Sequence, residues 1–370
     1  MSEYQYYEFQ AIDRSLTAEE RATIDRLSRR VKSSATKASF IYSHGDFPGD
    51  PKDVLAAYFD IMYYIANWGT QQLLFRFPKS SIDPASIEPY LVEGCIELSF
   101  HKEWAILDWE FHQEEGFDYW IEGEGTLAEL VDLRREILQQ DYRGLYLAWL
   151  NAITVSEEYA DIDPDSLEPP VPLGLQELSP AQKAFIHIFD VEESLVAIAR
   201  SASTKQTAIS EKSLLQAIPR LSTAEQRNFL ERLAKGEPNL SIAFQQKLRE
   251  IVAAPSTPDR TRRTVQELLD RSSEWTRETE RQQKAEAKAK RIQDLQALAK
   301  REPQVWEEIE FLLQKTRAQN YDRAVQLLVQ LRDLAELQNS LPSFQNKIED
   351  IRERYSRRAG FLSRLRAASL

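Results

Sequence analysis

One boundary in the sequence constrains the fold more than any other feature. Before about residue 155, strand-like and helix-like segments alternate; after Ser179, every apolar pattern has helical spacing. Between them lies an acidic, proline-rich stretch that includes Asp161-Ile162-Asp163-Pro164-Asp165 and Glu168-Pro169-Pro170-Val171-Pro172. Proline fixes φ, removes a backbone donor and pushes the preceding residue towards extended geometry, so neither a helix nor a central strand runs through it. At 370 residues the chain is long enough for more than one core. The expected fold class is α+β, with an N-terminal α/β sandwich domain over 1–155 followed by all-α helical modules. An acidic linker is expected at 156–180, a helical bundle at 181–252, a linker and polar helix at 253–303, and a C-terminal helical docking module at 304–370.

Local patterns fill in this outline. Residues 4–12 read as a strand. Thr17-Ala18-Glu19-Glu20 is a capping box that opens a helix with Ile24, Leu27 and Val31 on one face. Residues 38–42 are a second strand, and they end in the turn-rich run His44-Gly45-Asp46-Phe47-Pro48-Gly49-Asp50-Pro51. A wide apolar face predicts a helix over 51–68, with proline in its first turn and Gly69 as its stop. Further strands are expected at 72–77, 96–100 and 104–111, the last two joined by a turn at His101-Lys102-Glu103, and a long helix over 126–154 closes the domain. Beyond the prolines, helices are expected near 180–189, 191–203, 211–219, 223–235 and 240–252, two of them announced by capping boxes at Ser179 and Ser222. The helix expected over 262–301 is too polar to bury much surface. The last block carries Val305, Ile309, Leu312, Leu328, Leu331, Phe344, Ile348 and Ile351 at helical spacing, enough for two or three helices.

Composition removes whole classes of function. A single cysteine, Cys95, excludes an internal disulfide framework and any multi-cysteine zinc site. No apolar run reaches the roughly 20 residues of a membrane helix, and the start Met1-Ser2-Glu3-Tyr4-Gln5 lacks the pattern of a signal peptide, so a cytoplasmic protein is expected. Neither the P-loop pattern nor the dinucleotide fingerprint occurs, and no cofactor is expected. Charge is uneven: residues 1–180 hold 33 acidic and 14 basic side chains, residues 181–370 hold 26 and 33. Such asymmetry suits halves that face different partners, or each other; the plainer reading is an acidic soluble domain followed by ordinary charged helices.

Three groups of residues carry candidate chemistry. His44, Asp46 and Asp50 share one loop and could bind a metal or move a proton if they converged; the plainer reading makes Asp50 a helix cap and Asp46 a turn organiser. Cys95, His101 and His112 lie on or beside the expected strand pair, but their spacing supports no metal site, and a lone cysteine of this kind reads as a small core residue. The acidic, aromatic run 108–124 could pair with basic partners; the plainer reading is a half-exposed sheet with aromatics inward and carboxylates outward. In the tail, Arg352, Arg354, Arg357, Arg358, Arg364 and Arg366 form a cluster suited to phosphate or carboxylate contact.

The run Tyr6-Tyr7-Glu8-Phe9-Gln10-Ala11-Ile12-Asp13-Arg14 resembles the opening of a widespread family of uncharacterised bacterial proteins, as do the His44 to Pro51 turn and Ala66-Asn67-Trp68-Gly69-Thr70. The resemblance covers the chain but implies no activity. The C-terminal block, from Tyr321-Asp322-Arg323-Ala324-Val325 to Phe361-Leu362-Ser363-Arg364-Leu365, is similar to the C-terminal region of bacterial SWIM zinc-finger proteins. The finger itself needs three cysteines and a histidine, so its zinc and nucleic-acid functions do not carry over. The similarity implies a shared docking module and a SWIM-type protein as a partner.

The reading that follows is a non-enzymatic interaction protein of the bacterial cytoplasm, docking a protein partner through its helical C-terminal half. Arg352, Arg354, Arg357, Arg358, Arg364 and Arg366 are its expected partner-binding residues. The alternatives are an enzyme of undefined reaction at the His44–Asp50 turn, and a nucleic-acid-associated accessory factor. The acidic whole and the lack of a recognisable module disfavour the last.

Overall fold

The computed structural model describes residues 3–113, 123–154, 162–204, 211–236, 240–252, 262–315 and 317–370. Most of the acidic aromatic run after His112, the first residues of the proline-rich stretch and all of the expected linker at 253–259 therefore lie outside the described residues. The chain forms two compact units, Met1–Glu274 and Trp275–Leu370.

The first unit opens with β1 (Gln5–Gln10), α1 (Ala18–Leu27), β2 (Lys32–Ser33), β3 (Lys37–Tyr42), α2 (Pro51–Tyr58), β4 (Ile61–Ala66), β5 (Thr70–Pro78), α3 (Pro84–Ile87), β6 (Ile96–His101) and β7 (Trp104–His112). Among the described residues these strands form one antiparallel sheet in the order β2-β3-β1-β4-β5-β7-β6. The capping box at Thr17 starts α1 as its sequence predicts, and Lys102, at φ 54°, makes the tight turn between β6 and β7.

Helices cover both faces of this sheet. On the first face, α1 and α2 bury Ile24, Val54 and Leu55 against Phe9, Phe40, Met62, Leu74 and Ile106. On the second lie α4 (Thr126–Leu130), α5 (Asp132–Leu138), α6 (Arg143–Ala152), α7 (Pro180–Ile188) and α8 (Glu193–Ala202). Here Phe185 meets Trp109 edge to face at 5.3 Å, and Phe189 meets Phe111 at 5.6 Å and Tyr63 at 6.2 Å. The first helices after the proline-rich stretch thus complete the core of the sheet.

Two expected helices are corrected. The segment 51–68 is helical only to Tyr58; Phe59 turns extended, and 61–66 becomes the strand β4, between β1 and β5. All six residues of β4 are buried, so its sequence is an apolar run with no alternation, which periodicity cannot separate from helix. Gly69, at φ 101°, closes the β4–β5 hairpin rather than a helix. The helix expected over 126–154 is three helices, interrupted at Val131 and at Gln139 to Tyr142, where Gln140 adopts φ 62°.

Past α8 come α9 (Glu211–Ala217), α10 (Thr223–Ala234), α11 (Leu240–Val252) and the start of α12 (Val265–Ala299). Residues 164–168 run beside the first residues of α12, with Glu168 N donating to Arg263 O at 2.8 Å and Val265 N to Ser166 O at 3.0 Å. Buried Glu168 accepts from the Arg263 guanidinium at 2.6 and 2.8 Å and from the Tyr146 hydroxyl. The proline-rich stretch from Ile162 onward is therefore tied into the first unit.

The second unit holds the rest of α12 and then α13 (Glu302–Gln314), α14 (Ala318–Leu337), α15 (Leu341–Arg354) and α16 (Ala359–Ala367), four helices among the described residues of the last block where the pattern suggested two or three. Val305, Ile309, Leu328, Leu331, Ile348, Ile351 and Phe361 are buried together.

Candidate functional site

Two places gather polar or aromatic side chains in a way that packing alone does not require. The first is on the α1/α2 face of the sheet. Asp108, Glu110 and His112 alternate along β7 and so share that face. Lys52, in the first turn of α2, places its ammonium 2.7 Å from Asp108. The Gln72 amide donates to Asp108 at 2.9 Å and to Glu110 at 2.9 Å. His112 lies 3.2 Å from Glu110 through Nε2 and 3.1 Å from the Thr70 hydroxyl through Nδ1. The result is a continuous strip, Lys52–Asp108–Gln72–Glu110–His112–Thr70.

The surroundings set the protonation of this strip. Burial raises the Asp108 pKa, outweighing Lys52, and burial together with Asp108 raises that of Glu110. Burial lowers the His112 pKa, which favours neutral imidazole. The strip joins the start of α2 to the sheet, with its charged groups engaged by one another. Cys95 brings no nucleophile to it: the thiol is buried, and burial with Glu110 and Glu97 pushes its pKa up to about 11.

The His44–Asp50 turn stands at the edge of this face. Asp50 caps α2, accepting from Lys52 N at 2.8 Å. Asp46 accepts from the Gln5 amide at 3.3 Å, and His44 is exposed. His101 pairs with Trp104 at one end of β7, and His112 closes the other, roughly 26 Å away at the rise of a strand. Among the described residues, no group of three or more His, Cys, Asp or Glu side chains is placed to hold a metal ion. No helix among them is long and apolar enough to cross a membrane.

The second place is in the helical unit. A groove of about 490 Å³ runs between α13 and α15, lined by Trp306, Glu307, Glu310, Phe311, Asp350 and Arg354 among others. Its floor includes buried Ile351, while Phe311 stands 54% exposed. Val305, Ile309 and Leu313 take the buried stripe of α13; Trp306 packs against the edge of that core, its ring 6.1 Å from Phe344, while Phe311 stands on the outward face. Each ring carries an ammonium over its face, Lys347 at 4.8 Å from Trp306 and Lys315 at 3.8 Å from Phe311. Arg354 reaches Glu310 at 2.8 Å and Lys347 reaches Glu302 at 3.7 Å. Glu307 and Asp350 are exposed, and neither has an ion-pair partner among the described residues.

The tail arginines divide. Arg354 lines this groove. Arg352 donates to Leu370 O, Arg358 donates to Leu313 O and lies 4.8 Å from the Tyr355 ring, and Arg364 pairs with Asp322. Arg357 and Arg366 are exposed. Sequence reasoning passed over Trp306 and Phe311. The available signal was Phe311, a large aromatic on an amphipathic helix, off the stripe set by Val305 and Ile309. Compared with family models, curated proteins and solved structures, the chain matches none.

Proposed function

We propose that this chain is a non-enzymatic interaction protein of the cytoplasm that docks a protein partner on its C-terminal helical unit. The observation that carries the reading is the α13–α15 groove, where exposed Phe311 stands outside the buried stripe of Val305, Ile309 and Leu313 and beside the half-buried Trp306. Aromatic side chains in a groove supply the anchoring contacts of protein interfaces.

The test is affinity purification of the tagged full-length chain from its native cells, with nuclease treatment and a Phe311→Glu variant in parallel. A specific protein recovered with the native chain and lost with the variant is the expected result. Recovery that ignores the substitution overturns the reading. Loss on nuclease treatment moves the assignment to nucleic acid.

A further inference from the structure

We infer that the α13–α15 groove takes an amphipathic helix with basic side chains flanking its apolar face. The inference rests on the docking reading above and names the partner's chemistry. Three features of the groove converge on it.

The shape suits a helix. The α13 wall presents Trp306, Glu310 and Gln314 at intervals of four, with Glu307 and Phe311 one position on; the α15 wall presents Lys347, Asp350, Ile351 and Arg354 at intervals of three and four. Walls made of two helices with this spacing receive a third helix through anchors spaced three and four apart. From Trp306 to Gln314 the wall is about 12 Å long, a little over two helical turns.

The aromatic faces already hold cations. Lys347 over Trp306 and Lys315 over Phe311 are the contacts a partner's lysine or arginine would make with the same rings. Arginine would compete well there, because its guanidinium is planar and less strongly hydrated than an ammonium.

Among the groove's own lining residues the unpaired charge is negative, although Lys315, over the Phe311 ring, is also without an ion pair among the described residues. The groove's two cationic lining residues, Lys347 and Arg354, are paired with Glu302 and Glu310. What remains is Glu307 on one wall and Asp350 on the other. The helical unit as a whole carries 19 basic and 14 acidic side chains, so this acidic pair is a local departure from its surroundings. Such rim charges govern partner choice and encounter rate more than total affinity.

The experiment uses the full chain and three fluorescein-labelled synthetic helical peptides with identical leucine anchors and arginine, glutamine or glutamate at the flanking positions. Binding is read by fluorescence anisotropy. The arginine peptide is expected to bind tightest and the glutamate peptide weakest. Glu307→Lys with Asp350→Lys should reverse that order and cost the arginine peptide about tenfold, as two exposed ion pairs turned to repulsion would. Both positions are exposed, so folding is kept, and circular dichroism checks it. Phe311→Ala should weaken all three peptides. Equal binding of the three, or indifference to the charge reversal, overturns the basic-helix inference. Binding of the glutamate peptide in preference does so too, but leaves the docking reading standing. If no peptide binds, the basic-helix inference fails. The docking reading then depends on the Phe311→Glu purification alone.

Discussion

The Asp60 carboxylate and the Arg76 guanidinium meet at 2.7 Å, with the carboxylate wholly out of contact with water. Asp60 also accepts from the backbone of Ile12 at 2.6 Å and Asp13 at 2.9 Å, and Arg76 donates to Ala56 O at 2.9 Å. Arg134 joins them, 2.8 Å from Asp13 and 3.6 Å from Asp60. One buried network thus ties the end of β1, the loop after α2, β5 and α5. Burial alone would raise the Asp60 pKa, but Arg134, Arg76 and the two backbone donors bring it below its ordinary value.

Asp60→Asn should therefore cost about 3–5 kcal/mol, because it strands a buried guanidinium. The sign of its pH dependence is fixed. A lowered folded pKa gives stability that is present above the ordinary carboxylate value and lost as pH falls through the folded value. The penalty of Asp60→Asn, measured by urea denaturation, should be full at neutral pH and shrink on acidification.

Asp108 behaves in the opposite sense, since its folded pKa is raised. Its contribution is most favourable below the unfolded value and declines as pH rises through the folded one. Relative to the native chain, Asp108→Asn should look better at pH 7 than at pH 4. A flat difference across that range would remove the strip's proposed protonation pattern.

Gly123 sets a third test. A Cβ added there would lie 2.3 Å from Cδ1 of Tyr6 and 3.1 Å from Ile65. Tyr6 is itself buried in the sheet and cannot move aside. Gly123→Ala should cost about 1–3 kcal/mol, the range for overpacking a core, read as a lower unfolding midpoint.

Trp68 is 46% exposed in the β4–β5 turn, not part of a buried helix face. Trp68→Ala should change stability by less than about 1 kcal/mol, as for most surface positions. Asp50→Ala should cost about 1 kcal/mol through the lost cap on α2. A reversed ranking in thermal melts would contradict the placement of this hairpin.

In the tail, Arg357→Glu should leave the melting temperature unchanged, because the side chain is exposed. Arg358→Glu should lower it, since the native guanidinium caps Leu313 O at the end of α13 and lies on the Tyr355 ring. Equal effects would mean that the cluster acts by net charge alone.

Much of this architecture was legible in local chemistry. Thr17, Ser179 and Ser222 with their partners three residues on marked helix starts that need no tertiary partner to be recognised. Alternation marked β3, with Ala38, Phe40 and Tyr42 inward, and the prolines marked the end of the strand-bearing region. These signals survive in sequence because they act between residues a few positions apart. The tertiary structure decided what depends on distant neighbours. β4 is a strand because β1 and β5 flank it and both its faces are buried, a condition that erases the alternation by which strands are read. The Asp60–Arg76–Arg134 network, the strip from Lys52 to Thr70 and the groove between α13 and α15 each join residues from separate elements. Their chemistry comes into being only when folding brings those side chains within a few ångströms of one another.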